Sequence, residues 1–139
     1  GSPADMQNDT EYANLWAEIA AHLERALATA YRCGVDPRRV AVDPGIGFGK
    51  AMEHNLELLL GTRKLASLGR PVLLGPSRKT FLGELCGRPA QERGAATVAA
   101  ITAAVLSGAQ LLRVHEVAAA RDAVRVALAL RPLLRCEAR

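Results

Sequence analysis

The most constraining stretch of the chain is Val40-Ala41-Val42-Asp43-Pro44-Gly45-Ile46-Gly47-Phe48-Gly49-Lys50. Its apolar start is too short for a helix and β-branched at alternate positions, so residues 40–42 predict a strand. That strand runs into a carboxylate, a proline, three alternating glycines and a lysine. A carboxylate at the end of a buried strand is costly unless it finds a partner. The glycines permit a sharp turn and bring backbone N–H groups close to a ligand. Two later stretches repeat the design, Pro71-Val72-Leu73-Leu74-Gly75-Pro76-Ser77-Arg78-Lys79 and Gln110-Leu111-Leu112-Arg113-Val114-His115-Glu116. Three apolar strands, each ending in charged residues, organise the chain.

Helices alternate with these strands. Asp9 or Thr10 is the expected cap of a first helix whose apolar face carries Leu15, Ile19, Leu23, Ala26, Leu27 and Ala30, with Gly34 as its stop. Asp36-Pro37-Arg38-Arg39 reads as a turn. A second helix starts at His54 or Asn55, carries Leu56, Leu59, Leu60, Leu65 and Leu68, and stops at Gly69. Residues 72–74 form a strand, 79–86 a short helix, and 91 or 92 to 107 a helix that is apolar on nearly every side. Such a helix is buried on two sides. A strand over 110–114 and a helix from Val117 to about Leu130 complete the order. Strands alternating with helices imply a parallel sheet. Three strands are too few for a closed barrel, so the chain reads as part of a larger fold, expected to be incomplete on its own.

Composition narrows the function classes. Ala, Leu and Val dominate the 50% of apolar residues and aromatics make up 4%, which favours packed helices over a β-sandwich. The net charge of +4 is spread along the chain, which argues against a nucleic-acid partner. No apolar run is long enough for a membrane span, and no signal pattern opens the chain. Cys33, Cys86 and Cys136 lack metal-ligand spacing, which points to reduced thiols in a cytoplasmic protein. The glycine stretch fails both the dinucleotide and the P-loop patterns.

Among candidate site residues, Asp43 has two readings of equal weight, a turn-capping carboxylate or a ligand group. Phe48, set among glycines, either covers a flat ligand or folds back on the core. Ser77, Arg78 and Lys79 lie at a buried strand's end, although a helix start with solvated bases is the ordinary reading. Arg113 and His115 flank Val114 and so point to one side, a pairing that suits an anionic oxygen group. Glu116 either orients that imidazole or caps the last helix. His22 and His54 receive no role.

Taken together, the three strand ends resemble dihydropteroate synthase of folate biosynthesis. The family's Asp-Pro-Gly-x-Gly-Phe-Gly-Lys is matched by residues 43–50, its Ser-Arg-Lys by 77–79 and its Arg-Val-His by 113–115. The opening Gly1-Ser2-Pro3-Ala4-Asp5-Met6-Gln7 is similar to the loop after the family's fifth strand, which would make Gly1 and Ser2 native. The resemblance implies an α/β fold, a (β/α)8 TIM barrel with its site at the C-terminal ends of the strands. Residues 1–139 would be a partial pterin-binding domain, the C-terminal portion with about strands 6–8 and helices 5–8. It implies a transferase, the sulfonamide target, that condenses 6-hydroxymethyl-7,8-dihydropterin diphosphate with p-aminobenzoate and releases diphosphate. By resemblance, Asp43 and Lys79 bind the pterin, Phe48, Ser77 and Lys79 contact p-aminobenzoate, and Arg113 and His115 anchor the diphosphate. Lys79, Arg113 and His115 are the implied catalytic groups. Mg2+ is expected for the intact enzyme, with no metal ligand identifiable in this chain. A homodimer is expected through the C-terminal helices, helix 92–107 among them.

Two residues depart from the family pattern. Pro76 stands where a small or apolar non-proline residue is usual, and Glu116 where Asp is usual. The isolated chain is expected to be weakly active or inactive. Two other readings stand beside this one. The first is a truncated, non-enzymatic scaffold or anion-binding module. The second is a pterin-binding methyltransferase-type barrel, against which the Ser-Arg-Lys and Arg-Val-His pair argues.

Overall fold

The structure, a computed structural model, describes residues 12–135. The expected cap at Asp9 or Thr10, the residue 1–7 match and Cys136 lie outside that range. Helix α1 spans Leu15–Arg32. Asn14 caps it, its Oδ1 accepting the Ala17 N–H at 3.1 Å, while Glu18 accepts the Asn14 N–H at 3.0 Å. This reciprocal pairing satisfies N–H groups that would otherwise lack partners at the helix start. Leu15, Ile19, Leu23 and Leu27 are buried as their spacing requires, but Ala26 is exposed. Gly34 follows at φ +82°. Asp36 then caps a single 3₁₀ turn, Pro37–Arg39.

The first predicted strand shrinks to one parallel bridge, Val42 to Val72. The backbone still pairs on both sides of it, Val42 N–H with Pro71 O at 2.9 Å and Leu73 N–H with Val42 O at 2.8 Å. Strands β1 (Leu73–Leu74) and β2 (Leu111–Leu112) pair in parallel, Leu73 with Leu111 and Leu74 with Leu112. The ladder is shorter than residues 72–74 and 110–114 suggested. Gln110 extends it by a side chain, its Oε1 accepting the Val72 N–H at 2.9 Å. Among the described residues, no further strand pairs with either outer edge.

Helix α2 covers Met52–Leu60, beginning ahead of the predicted His54 or Asn55, with Ala51 at its N-cap and the Asn55 N–H already bonded to Ala51 O. It does not run on to Gly69. Gly61 interrupts it, and a Cβ there would collide with the Trp16 ring. The chain continues as a 3₁₀ helix, Thr62–Leu68. Leu58, Leu59 and Leu65 are buried, whereas Leu56 and Leu60 face out.

Helix α3 spans Thr80–Cys86 and α4 spans Gly94–Leu106. The single helix expected from Gln91 or Glu92 is broken into a 3₁₀ turn, Ala90–Glu92, and α4, with Arg93 between them. Helix α5 spans Val117–Leu130. The apolar girth of α4 now has its explanation. Ala100 and Ala104 join the core built from α1, α2, the strands and α3, while Ile101 and Val105 join a second cluster with Ala120, Ala123 and Ala127 of α5. Small alanines on both helices permit close approach. Ala95 and Ala99 remain exposed. Among the described residues, no helix is long and apolar enough to cross a membrane.

Candidate active site

Because the strand segments are parallel, their C-terminal ends share one edge of the sheet. Asp43 follows Val42, Gly75 follows β1 and Arg113 follows β2. The three motifs are therefore neighbours by topology before any side chain is considered.

The first end is a loop of left-handed glycines, Gly45 at φ +75°, Gly47 at +76° and Gly49 at +54°. Asp43 Oδ1 accepts the Gly45 N–H at 2.8 Å, the local bond of a turn-capping carboxylate, while the residue stays exposed at the sheet edge. Lys50 folds back to donate to Phe48 O at 3.0 Å. Its ammonium is held below the ordinary lysine value by burial, and Asp43 opposes that shift. Asn55, 3% exposed, ties the loop to α2. Its Oδ1 accepts the Gly47 N–H at 2.6 Å, and its Nδ2 donates to Lys50 O at 3.2 Å and Ala51 O at 2.9 Å. We find in Asn55 a supporting residue that sequence reading took only for a helix start. The available signal was an amide in a leucine-rich helix directly after a glycine loop.

The second end is the tight turn Pro76-Ser77-Arg78-Lys79, closed by Lys79 N–H to Pro76 O at 3.2 Å. Pro76 is fully buried. Lys79 reaches across to the first loop, its Nζ 3.2 Å from the Phe48 ring centroid. A cation over an aromatic face is attracted by the ring quadrupole. Gly47 makes room for this, because a Cβ there would stand 2.6 Å from Lys79 Cδ. Phe48 thus stands out from the core, 39% exposed, with Lys79 on its face. Burial, and then Arg113, hold the Lys79 ammonium below its ordinary value; Lys50 adds to this and Asp43 opposes it. Lys50, Lys79 and Arg113 form a cation cluster that an anion would relieve.

The third end brings Arg113 and His115 out to solvent while Val114 packs into the second core cluster. This is the alternation the sequence implied. Arg113 lies on Gly75, where a Cβ would be 3.4 Å from Nε. Ser77, 6% exposed, meets His115, with Oγ 2.8 Å from Nδ1, and also accepts the His115 N–H at 3.3 Å. Glu116 neither orients that ring nor caps α5 with its side chain. It pairs with Arg78, and α5 has no side-chain cap bond. Glu116 does occupy the N-cap position of α5, in extended backbone, but its carboxylate is engaged by Arg78. Among the described residues, no group of three His, Cys, Asp or Glu side chains could hold a metal ion.

The structure thus joins all the predicted site residues along one edge. Lys79 meets Phe48, Ser77 meets His115, and Lys79 is within electrostatic reach of Asp43, Lys50 and Arg113. Residues 1–115 match the pterin binding enzyme family. The folate synthesis bifunctional protein of Arabidopsis thaliana is 43% identical over 138 residues, covering 91% of this chain and 28% of that protein. The dihydropteroate synthase of Neisseria meningitidis serogroup C is 41% identical over 127 residues, covering 90% of this chain and 45% of that enzyme. The dihydropteroate synthase of Thermus thermophilus, solved in complex with 6HMPPP, superposes at a TM-score of 0.84 with 45% identity, over 93% of this chain and 51% of that one. The same enzyme was solved with 4-aminobenzoate. The chain spans about half the length or less of these relatives. It belongs to the pterin binding enzyme family.

Proposed function

We propose that the chain carries the C-terminal strand ends of a dihydropteroate synthase site and supplies about strands 6–8 of a (β/α)8 barrel. The observation that carries this reading is the junction of the three motifs. One tight turn sends Lys79 onto Phe48 and Ser77 onto His115, so the pterin, p-aminobenzoate and diphosphate sides are held by a single piece of backbone.

On this reading Asp43 accepts N–H bonds from the amino-pyrimidine edge of the pterin. Phe48 and Ser77 border the aminobenzoate, and Lys79 touches both substrates. Arg113 and His115 face the diphosphate and stabilise its charge as the methylene C–O bond breaks. The aniline nitrogen attacks that carbon, and the proton it then loses passes to solvent as diphosphate leaves with the C–O bonding pair. Fixed positive charge aimed at the leaving group is the main catalytic contribution. Mg2+ belongs, on the same reading, to parts of the relatives that this chain does not cover, and no step here is routed through it. Self-association uses the C-terminal helices, where Val126, Leu128 and Leu130 of α5 and then Leu133 and Leu134 are exposed apolar side chains, while one side of α4 is packed on α5. The cytoplasm is the expected compartment, although the relative from Pisum sativum carries a mitochondrial designation; cell fractionation tests it.

The test is calorimetric titration of the folded chain with 6-hydroxymethyl-7,8-dihydropterin diphosphate. Binding that is lost in Asp43→Asn supports the proposal. A folded chain that binds neither this compound nor diphosphate contradicts it and favours a scaffold role.

A further inference from the structure

Arg78 is the only non-glycine residue with positive φ among the described residues, at φ +57°. It occupies the third position of the turn over residues 76–79, where positive φ favours glycine. Left-handed backbone is disfavoured for an L-residue, and such strain persists only where surrounding structure imposes it. Here the surroundings act on every polar part of the residue. The Arg78 N–H donates to Thr97 Oγ1 at 3.0 Å, with Thr97 only 7% exposed. Its carbonyl accepts from Arg93 Nη1 at 2.9 Å. Its guanidinium pairs with Glu116. Arg93 is held in turn by Arg88 O at 2.9 Å and lies on Gly83, where a Cβ would collide with its guanidinium. The clamp therefore joins α3, α4 and the segment between β2 and α5.

None of these contacts involves Asp43, Lys50, Lys79, Arg113 or His115. The flanking residues make such contacts, since Ser77 holds His115 and Lys79 covers Phe48. Within the described residues, the His115 ring nitrogen is the acceptor available to the Ser77 hydroxyl, which already accepts the His115 N–H. When the hydroxyl donates to Nδ1, the imidazole's single proton sits on Nε2, so this contact selects the tautomer. We propose that Arg78 is a positioning residue of this site: its clamped left-handed turn fixes Ser77 against His115, and thereby the tautomer of the diphosphate anchor, while aiming Lys79 at the ring side. The inference rests on the functional reading above for the ligand, but not for the hydrogen bond.

The experiment uses the full 139-residue chain. Histidine ring ¹⁵N spectra, assigned through His115→Asn, report the Nδ1 hydrogen bond, and inorganic diphosphate is the binding probe. Glu116→Gln and Arg78→Gly are expected to lose the hydrogen-bonded Nδ1 signal and to weaken diphosphate binding about tenfold, since a loosened support misplaces several groups at once. Arg78→Lys, which keeps a cation for Glu116, retains the signal. The urea midpoint of Arg78→Gly stays near the parent value, because relief of backbone strain offsets the lost ion pair. An unchanged His115 signal in both Glu116→Gln and Arg78→Gly overturns the proposal. So does a signal lost only in step with the unfolding midpoint. A parent chain that binds no diphosphate removes the anion-site reading, while the His115 signal still decides the positioning role.

Discussion

The two turns at neighbouring strand ends reach similar bends by opposite means. In residues 45–49 every left-handed position is a glycine, and one buried amide, Asn55, holds the loop by three hydrogen bonds. In residues 76–79 the left-handed position is an arginine, held by Thr97, Arg93 and Glu116. The glycine loop is shaped by what is missing, since absent Cβ atoms leave space for Lys79 and for backbone to approach a ligand. The arginine turn is shaped by what is present, a network that outweighs its strain. The first should fail when atoms are added, the second when partners are removed. Each turn delivers one half of the Lys79–Phe48 contact, so either failure reaches the same site.

The largest effect is expected at Asn55, the buried amide that ties the glycine loop to α2. Asn55→Ala leaves the Gly47 N–H and the Lys50 and Ala51 carbonyls without their side-chain partner, at a cost of about 2–3 kcal/mol. Urea unfolding checks this, and a loss well under 1 kcal/mol would show that the loop holds itself.

Next in size, Gly47→Ala places a methyl at positive φ against the Lys79 stem. It should cost about 1–2 kcal/mol and weaken pterin diphosphate binding by dislodging Lys79. The contrast with Arg78→Gly is the sharp form of the comparison, because adding a Cβ should destabilise one turn while removing one leaves the other's stability nearly unchanged. Equal losses at both positions would break the distinction.

The smallest effect is electrostatic. Lys50 is held below its ordinary value of 10.5 mainly by burial. The unfolded chain therefore binds its proton more tightly than the folded one. Below the lowered value the penalty on stability is constant. Stability then rises with pH from the lowered value toward 10.5. Lys50→Met should flatten that rise in urea midpoints, and an unchanged slope would place its origin elsewhere, with Lys79 the next candidate because its shift has the same sign.

Much of this arrangement was legible in the sequence. Apolar runs ending in charge gave the strand ends, and parallel pairing followed from their alternation with helices. The same-side placement of Arg113 and His115 followed from period-two geometry. Element boundaries were less legible, because tertiary contacts set them. Gly61 breaks the second helix to seat Trp16, and Arg93 breaks the fourth to reach Arg78 and Arg88. The partner of Glu116 was also hidden. A carboxylate beside a histidine reads as its orienter until the fold brings in an arginine 38 positions away. The left-handed Arg78 carries no local sign at all, since its conformation is imposed by residues from three other segments.

The central claim is that separate strand ends hold one ligand together. Crossed titrations test it most directly, with pterin diphosphate and inorganic diphosphate each titrated into Asp43→Asn and Arg113→Ala. The account predicts that both variants lose affinity for pterin diphosphate, while only Arg113→Ala loses affinity for inorganic diphosphate. Full affinity of Arg113→Ala for pterin diphosphate would contradict it, because the strand ends would then not share a ligand.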